Sequence, residues 1–279
     1  MQTWLHDTQL VPDFVENYWF LQVDASDTIK RHPVLLPDAH SHYVIAPDNQ
    51  PYSYKGSTVQ FSGVGSHLLG SSNQAYVLED FPPILRIGIK FKPGACYALL
   101  SKGEAATLNN CGVNEILTTL LPFKDFEPLL NRPDYKSILI NLMEERLTKL
   151  ARSTTADRHY GLTLEAVSFM DNALTNKEWN TLNTQNIADT LSCSKRTLER
   201  SFQKTTGVTV KQYQTMEKLN ALFIYLNKQD TINWADVADE FNFSDQAHLI
   251  RKLKSLIKRT PREYLNTKNM IVDVYGTFE

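Results

Sequence analysis

The side chains with the clearest chemical purpose lie between Ser194 and Gln203: Ser194, Lys195, Arg196, Thr197, Arg200 and Gln203. Leu198 and Phe202, four apart, mark the buried side of a helix, which leaves the cations and hydroxyls on its open side. Such a face suits a nucleic acid. Arg pairs with guanine edges, while Lys, Ser and Thr commonly hold phosphates. The set returns about fifty residues later as Ser244, Asp245, Gln246, His248, Arg251 and Lys252, with Leu249, Leu253 and Leu256 expected inward. From Arg251 to Arg262 there are six basic residues and no acidic one, a local patch able to neutralise phosphates.

Each set needs one helix to carry it and another to brace it. Upstream of Ser194, Ile187 and Leu191 share a face, with Ala188 small enough for close helix crossing, and Ser194 is the expected cap of the next helix. Upstream of Ser244, Trp234, Val237, Ala238 and Phe241 repeat the arrangement. Asn242 takes the turn, since Asn tolerates a left-handed backbone. Two helix-turn-helix units follow. Between them Val210, Tyr213, Met216, Leu219, Phe223 and Leu226 recur at helical spacing. That helix spans roughly 25 Å, and successive major grooves on one DNA face lie about 34 Å apart. With the widths of the flanking units added, one chain can set two recognition helices in adjacent grooves. A helical bundle with no DNA role is the plainer alternative, and the repetition with basic outer faces argues against it.

At these residues a family becomes recognisable. The stretch from about Leu162 to Leu265 resembles the DNA-binding domain of AraC/XylS-type regulators, above all from Val237 to Leu249 and in Thr260-Pro261-Arg262-Glu263-Tyr264. Asn242 and Lys258 stand where the family usually has Gly, and Leu249 and Leu253 where it has Phe. The N-terminal half is similar to that of a subgroup of these regulators through Tyr18-Trp19, Leu36-Pro37-Asp38-Ala39-His40, Gly63-Val64-Gly65 and the run from Gly88 to Ala95. The resemblance implies double-stranded DNA as partner and RNA polymerase as a second one if the protein is an activator. It also implies an N-terminal domain that senses a small molecule, forms a homodimer, or both.

Composition agrees with a folded chain of this kind. Its 279 residues, 42% hydrophobic, allow two domains. The division expected is 1–151 for effector sensing or dimerisation, 152–160 as linker, 161–268 for DNA binding and 269–279 as tail. The class is α+β: a mainly β, small barrel-like N-terminal domain with helices, then an all-α domain with two helix-turn-helix motifs joined by a long helix. Net charge is −2 overall. Residues 1–159 carry 14 Lys and Arg against 17 Asp and Glu, whereas 160–270 carry 15 against 12. Residues 1–21 lack the basic start and apolar run of a signal peptide, and no apolar stretch approaches the roughly 18 residues of a membrane span. A cytoplasmic protein without membrane contact is expected.

The N-terminal half offers strands near Tyr43–Ala46, Thr58–Phe61 and Leu85–Phe91, the last alternating as a half-buried strand does. A short helix from Ala95 and a helix of about four turns ending near Leu150 follow. The apolar stripe of the second suits either a dimer interface or its own domain. Trp19, His40, His42, Tyr43 and Tyr76 are candidates to line an effector pocket, with Tyr52 and Tyr54 nearby. His40-x-His42 with His67 could be imagined around a metal, but ordinary polar strand positions explain them, and neither metal nor cofactor is expected. Cys96, Cys111 and Cys193 have no ligand or disulfide spacing. Thr163, Ser194, Asn233 and Ser244 are the expected helix caps. The chain is not expected to be an enzyme. Two alternatives remain: a bifunctional DNA alkyl-repair and regulatory protein, which needs an activated cysteine, and a protein-binding scaffold.

Overall fold

A computed structural model describes residues 1–27, 33–79, 81–100, 108–155, 157–176, 178, 182–229 and 231–257. Nine strands come first: β1 (Gln2–Asp7), β2 (Val15–Val23), β3 (Val34–Leu35), β4 (Ser41–Ile45), β5 (Pro51–Lys55), β6 (Gln60–Val64), β7 (His67–Leu69), β8 (Tyr76–Leu78) and β9 (Ile84–Phe91). Helix α1 (Ala95–Leu99), strand β10 (Cys111–Gly112) and helices α2 (Glu115–Leu120), α3 (Phe123–Phe126) and α4 (Tyr135–Arg152) complete the first half. The strands form two antiparallel sheets, ordered β1-β2-β9-β4-β7-β10 and β3-β8-β5-β6.

The sheets enclose an aromatic core of Trp19, Tyr52, Tyr54 and Tyr76 with Leu21, Val44 and Leu78. Gly88 makes room for it: a Cβ there would sit 1.7 Å from the Trp19 indole, so only glycine lets the ring lie across β9. The other side of the larger sheet packs Phe20, Tyr43, Ile87 and Phe91 against Leu139, Met143 and Leu147 of α4 and against α1. Strand β9 is therefore covered on both faces. The expectation of a half-buried strand is corrected accordingly. Arg86 (1% exposed) and Lys90 (9%) are enclosed rather than solvent-facing, because the barrel interior lies where open solvent was anticipated.

Helix α4 runs from Tyr135 through Arg152, longer than its apolar stripe indicates, and α5 (Arg158–Thr175) opens after a connection of five residues. Its cap is Asp157, whose carboxylate accepts from the His159 and Tyr160 amides. Thr163, the expected cap, lies inside the helix instead. It is fully buried, with its hydroxyl donating to the His159 carbonyl and meeting the Thr205 hydroxyl at 2.8 Å.

The remaining helices are α6 (Thr184–Thr190), α7 (Lys195–Thr206), α8 (Val210–Asn227), α9 (Trp234–Glu240) and α10 (Gln246–Ile257). A capping box of Thr209 and Gln212 starts α8. All six positions of its expected apolar stripe are buried. They serve two cores. Val210, Tyr213 and Met216 join Ile187, Leu198 and Phe202 of the first unit, whereas Leu219, Leu222, Phe223 and Leu226 join Val237, Phe241, Leu249 and Leu253 of the second. The barrel enters both: Ala39 packs into the first core and Val34 into the second.

Candidate nucleic-acid interface

The two units share their turn geometry. Ser192 (φ 50°) and Asn242 (φ 46°) hold the left-handed position, and one amide closes each turn, Cys193 to the Ala188 carbonyl at 2.9 Å and Phe243 to the Ala238 carbonyl at 2.7 Å. Asn242 was legible as such a residue; Ser192 was not, because its small side chain carries no comparable signal. A further brace escaped the sequence reading. Lys218 of α8 donates to the Asn242 carbonyl at 3.2 Å and stands over the Phe243 ring.

Ser194 caps α7 by accepting the Thr197 amide at 3.1 Å, and their hydroxyls meet at 2.8 Å. In the second unit the cap shifts by one residue. Asp245, not Ser244, accepts the His248 amide at 2.6 Å, while the Ser244 hydroxyl bonds the His248 imidazole at 3.0 Å. That amide bond holds the Asp245 carboxyl below its ordinary value. Leu198, Phe202, Leu249 and Leu253 are fully buried. The side chain of Leu256 and residues 258–279, with Lys258 and the stretch from Thr260 to Tyr264, lie outside the described residues.

Lys195, Arg196, Arg200 and Gln203 are exposed on α7, and Gln246, His248 and Arg251 on α10. Gln203 is turned along its helix to donate to the Gly207 carbonyl at 2.7 Å. Lys204 stands over the Tyr97 ring of α1, so the C-terminal half of α7 faces the barrel domain and its N-terminal half is open. Lys252 is only partly exposed; it lines a 440 Å³ cleft with Pro37 and Asn73 of the barrel and Met216 of α8. Lys254, exposed on α10, belongs to the same cationic surface.

The candidate effector residues divide. Trp19 and Tyr76 are inside the barrel, where Tyr54 bonds His67 at 2.8 Å. Burial drives the His67 imidazole down to about 3, so it is neutral. Tyr43 is corrected: it points to the opposite face of its strand and donates to Thr118 of α2. His40 and His42 converge elsewhere, on Asp38. The Asp38 carboxylate meets the His40 Nδ1 at 2.6 Å, the His42 Nε2 at 3.3 Å and the Lys90 ammonium at 3.8 Å. Glu217 of α8 brings a carboxylate oxygen within 4.8 Å of donor atoms of Asp38 and His40. Nearby, Tyr213 donates to Asp171 of α5 at 2.8 Å.

The cysteines are all free. Burial pushes the Cys96 and Cys111 thiols up to about 12, the reverse of what a nucleophile needs. Among the described residues no helix is long and apolar enough to cross a membrane.

A double helix-turn-helix on a shared spacer, carried behind a barrel domain, defines a class of DNA-binding proteins. Residues 187–267 match the family model of a helix-turn-helix domain, and residues 8–114 match that of a domain of unknown function, DUF6597. The C-terminal region is an AraC-type helix-turn-helix domain. No curated protein sequence matches the chain. Among solved structures it is similar to ToxT from Vibrio cholerae at 12% identity, covering 97% of this chain and 98% of that one, with a TM-score of 0.46. A ToxT structure bound to (E)-4-(8-methylnaphthalen-1-yl)but-3-enoic acid is similar at 15% identity over 96% and 99%, with a TM-score of 0.48. The AraC-like transcriptional activator CuxR is similar at 12% identity over 79% and 86%, with a TM-score of 0.30.

Proposed function

We propose that the chain is a sequence-specific, cytoplasmic transcription regulator that sets α7 and α10 into neighbouring major grooves of one duplex. The observation that carries this is the repeated turn with an open cationic helix after each copy, both anchored on α8. Arg196, Arg200 and Arg251 read bases together with Gln246 and His248; Lys195, Thr197 and Ser194 fix register on phosphates. Ser244, Asp245, Gln203 and Lys252 stand at the border of this surface.

Residues 1–151 form the controlling domain in this reading. A small molecule bound in the barrel beside Trp19 and Tyr76 has a mechanical route to DNA through the His40–His42 end, which abuts α8. An activator would in addition meet RNA polymerase, and a homodimer would double the recognition helices on the operator. The raised thiols argue against the alkyl-repair alternative.

Selection of bound sequences from random duplex DNA, with and without metabolite extract, tests the reading. The expected product is a composite site with two half-sites about 10 base pairs apart, enriched differently when metabolites are present. Recovery of unselected DNA, or of one isolated half-site, would overturn the paired-groove reading.

A further inference from the structure

The contact between barrel and α8 is chemically unusual for a domain seam. Its apolar part is ordinary: Val34 and Ala39 plug the two cores that α8 links. Between these plugs lies a concentration of ionisable groups. Asp38, His40, His42 and Lys90 come from the barrel, with Glu16 of β2 acting on Lys90; Glu217 and Tyr213 come from α8 and Asp171 from α5. Asp38 already has two protein partners for its oxygens and a nearby ammonium. Glu217 accepts a long hydrogen bond from the Asn220 side-chain amide at 3.5 Å. A cation bound by Asp38, His40 and Glu217 is disfavoured, because the Lys90 ammonium already supplies positive charge 3.8 Å from Asp38.

We propose that this seam is a proton-controlled latch, in which His40, oriented by Asp38 of the barrel, faces Glu217 of α8, and the protons held by this pair decide how firmly the barrel grips the helix that both reading units share. It rests on the DNA-binding reading only for its consequence, not for its operation.

The direction follows from the surroundings. Burial raises the Glu217 carboxyl to about 7, against the pull of His40 and Lys90. Burial and Lys90 oppose the charge on His40, but Asp38 and Glu217 outweigh them and its pKa is raised. Burial likewise raises Asp171. The docked seam therefore binds more protons than the separated one, and docking weakens as pH climbs through the docked values. His42, lowered by burial, acts in the opposite sense up to the ordinary histidine value, and Asp38, held well below its ordinary value, does so only in acid. The working window is thus near and above neutral. From the Glu217 value alone, docking weakens about fourfold between about pH 6.5 and about pH 8.5.

Amide hydrogen exchange on the full chain without DNA measures this, with rates corrected for their intrinsic pH dependence. Protection in residues 33–41 and 213–223 should fall about fourfold or more across that range in the wild type. Glu217→Gln, which fixes the uncharged form, should keep the low-pH protection throughout. If Glu217→Gln does not fold, Asp38→Asn serves: it removes an anion that raises both His40 and Glu217, so the fall in protection should move to lower pH. A flat wild-type profile, or a variant that follows the wild type, overturns the latch. Binding to the selected DNA is followed in parallel. A titrating seam with no DNA affinity at any pH sinks the functional reading and leaves the latch standing; pH-dependent affinity over a flat seam does the reverse.

Discussion

The two helix-turn-helix units copy one another in their turns and differ in how they are held. The first is bolted down. The Thr163 and Thr205 hydroxyls meet, Thr205 donates to the Ser201 carbonyl and the Ser201 hydroxyl bonds His159; Ser71 of the barrel donates to the Thr206 carbonyl at 2.9 Å, and Tyr97 donates to the Asp157 cap at 2.7 Å. Gly207, in the left-handed region at φ 78°, lets the chain pass against Leu108. Against the second unit the barrel sets an apolar patch, Val34 with Leu36, Ala75 and Val77. Apolar contact is non-directional, whereas a buried hydrogen-bond chain fixes geometry. One motif is a fixed reference, and its copy is carried from it on α8.

The largest expected effect tests that asymmetry in the cores. Phe202→Ala should cost about 3–5 kcal/mol and lower the main thermal transition, since the first unit is continuous with the barrel. Leu253→Ala should cost about 2–5 kcal/mol but split off an early transition belonging to α9 and α10. Calorimetry that shows one undivided transition in both variants would remove the distinction.

On DNA the contrast is between reading and holding. Arg196→Ala is expected to weaken the selected site by about 1–3 kcal/mol, roughly 5- to 150-fold, with little change on random duplex. Lys252→Ala should weaken all sequences alike and make the salt dependence shallower by about one ion. Anisotropy titrations at several salt concentrations separate the two. An unchanged slope for Lys252→Ala would assign that side chain to the cleft beside Pro37 and not to phosphate.

The smallest effect concerns the caps. Ser194→Ala should lose about 0.5–2 kcal/mol of stability. Asp245→Asn keeps an acceptor for the His248 amide but removes an anion from a surface meant for phosphates. Its DNA affinity should rise a few-fold at low salt, by a charge worth about 0.3–1 kcal/mol. A fall in affinity would mean that the carboxylate itself contacts a base.

The sequence made the second half legible because its signals are local and occur twice: the buried pairs, the capping serine at 194, the turn asparagine, and a spacer helix read to within a residue of its end. The first half was legible as strands and helices but not as an interior. Alternation in β9 shows two faces; it cannot show that both are covered, so Arg86 and Lys90 passed for surface residues. Tyr43 was grouped with Trp19 and Tyr76 by type alone, and strand parity puts it on the other side. The Asp38–His40–Glu217 meeting joins positions nearly 180 apart, which no local pattern announces.

Sharing α8 between two cores also sets a rule for how such a chain can change. Each residue of an α-helix advances the axis by about 1.5 Å and turns it by about 100°. Inserting or deleting a single residue in α8 would swing α10 out of phase with α7 and tear Leu219 or Phe223 from its packing in the same step. Substitutions on the open faces can alter which bases are preferred one position at a time, whereas the distance between half-sites is locked to the pitch of the helix.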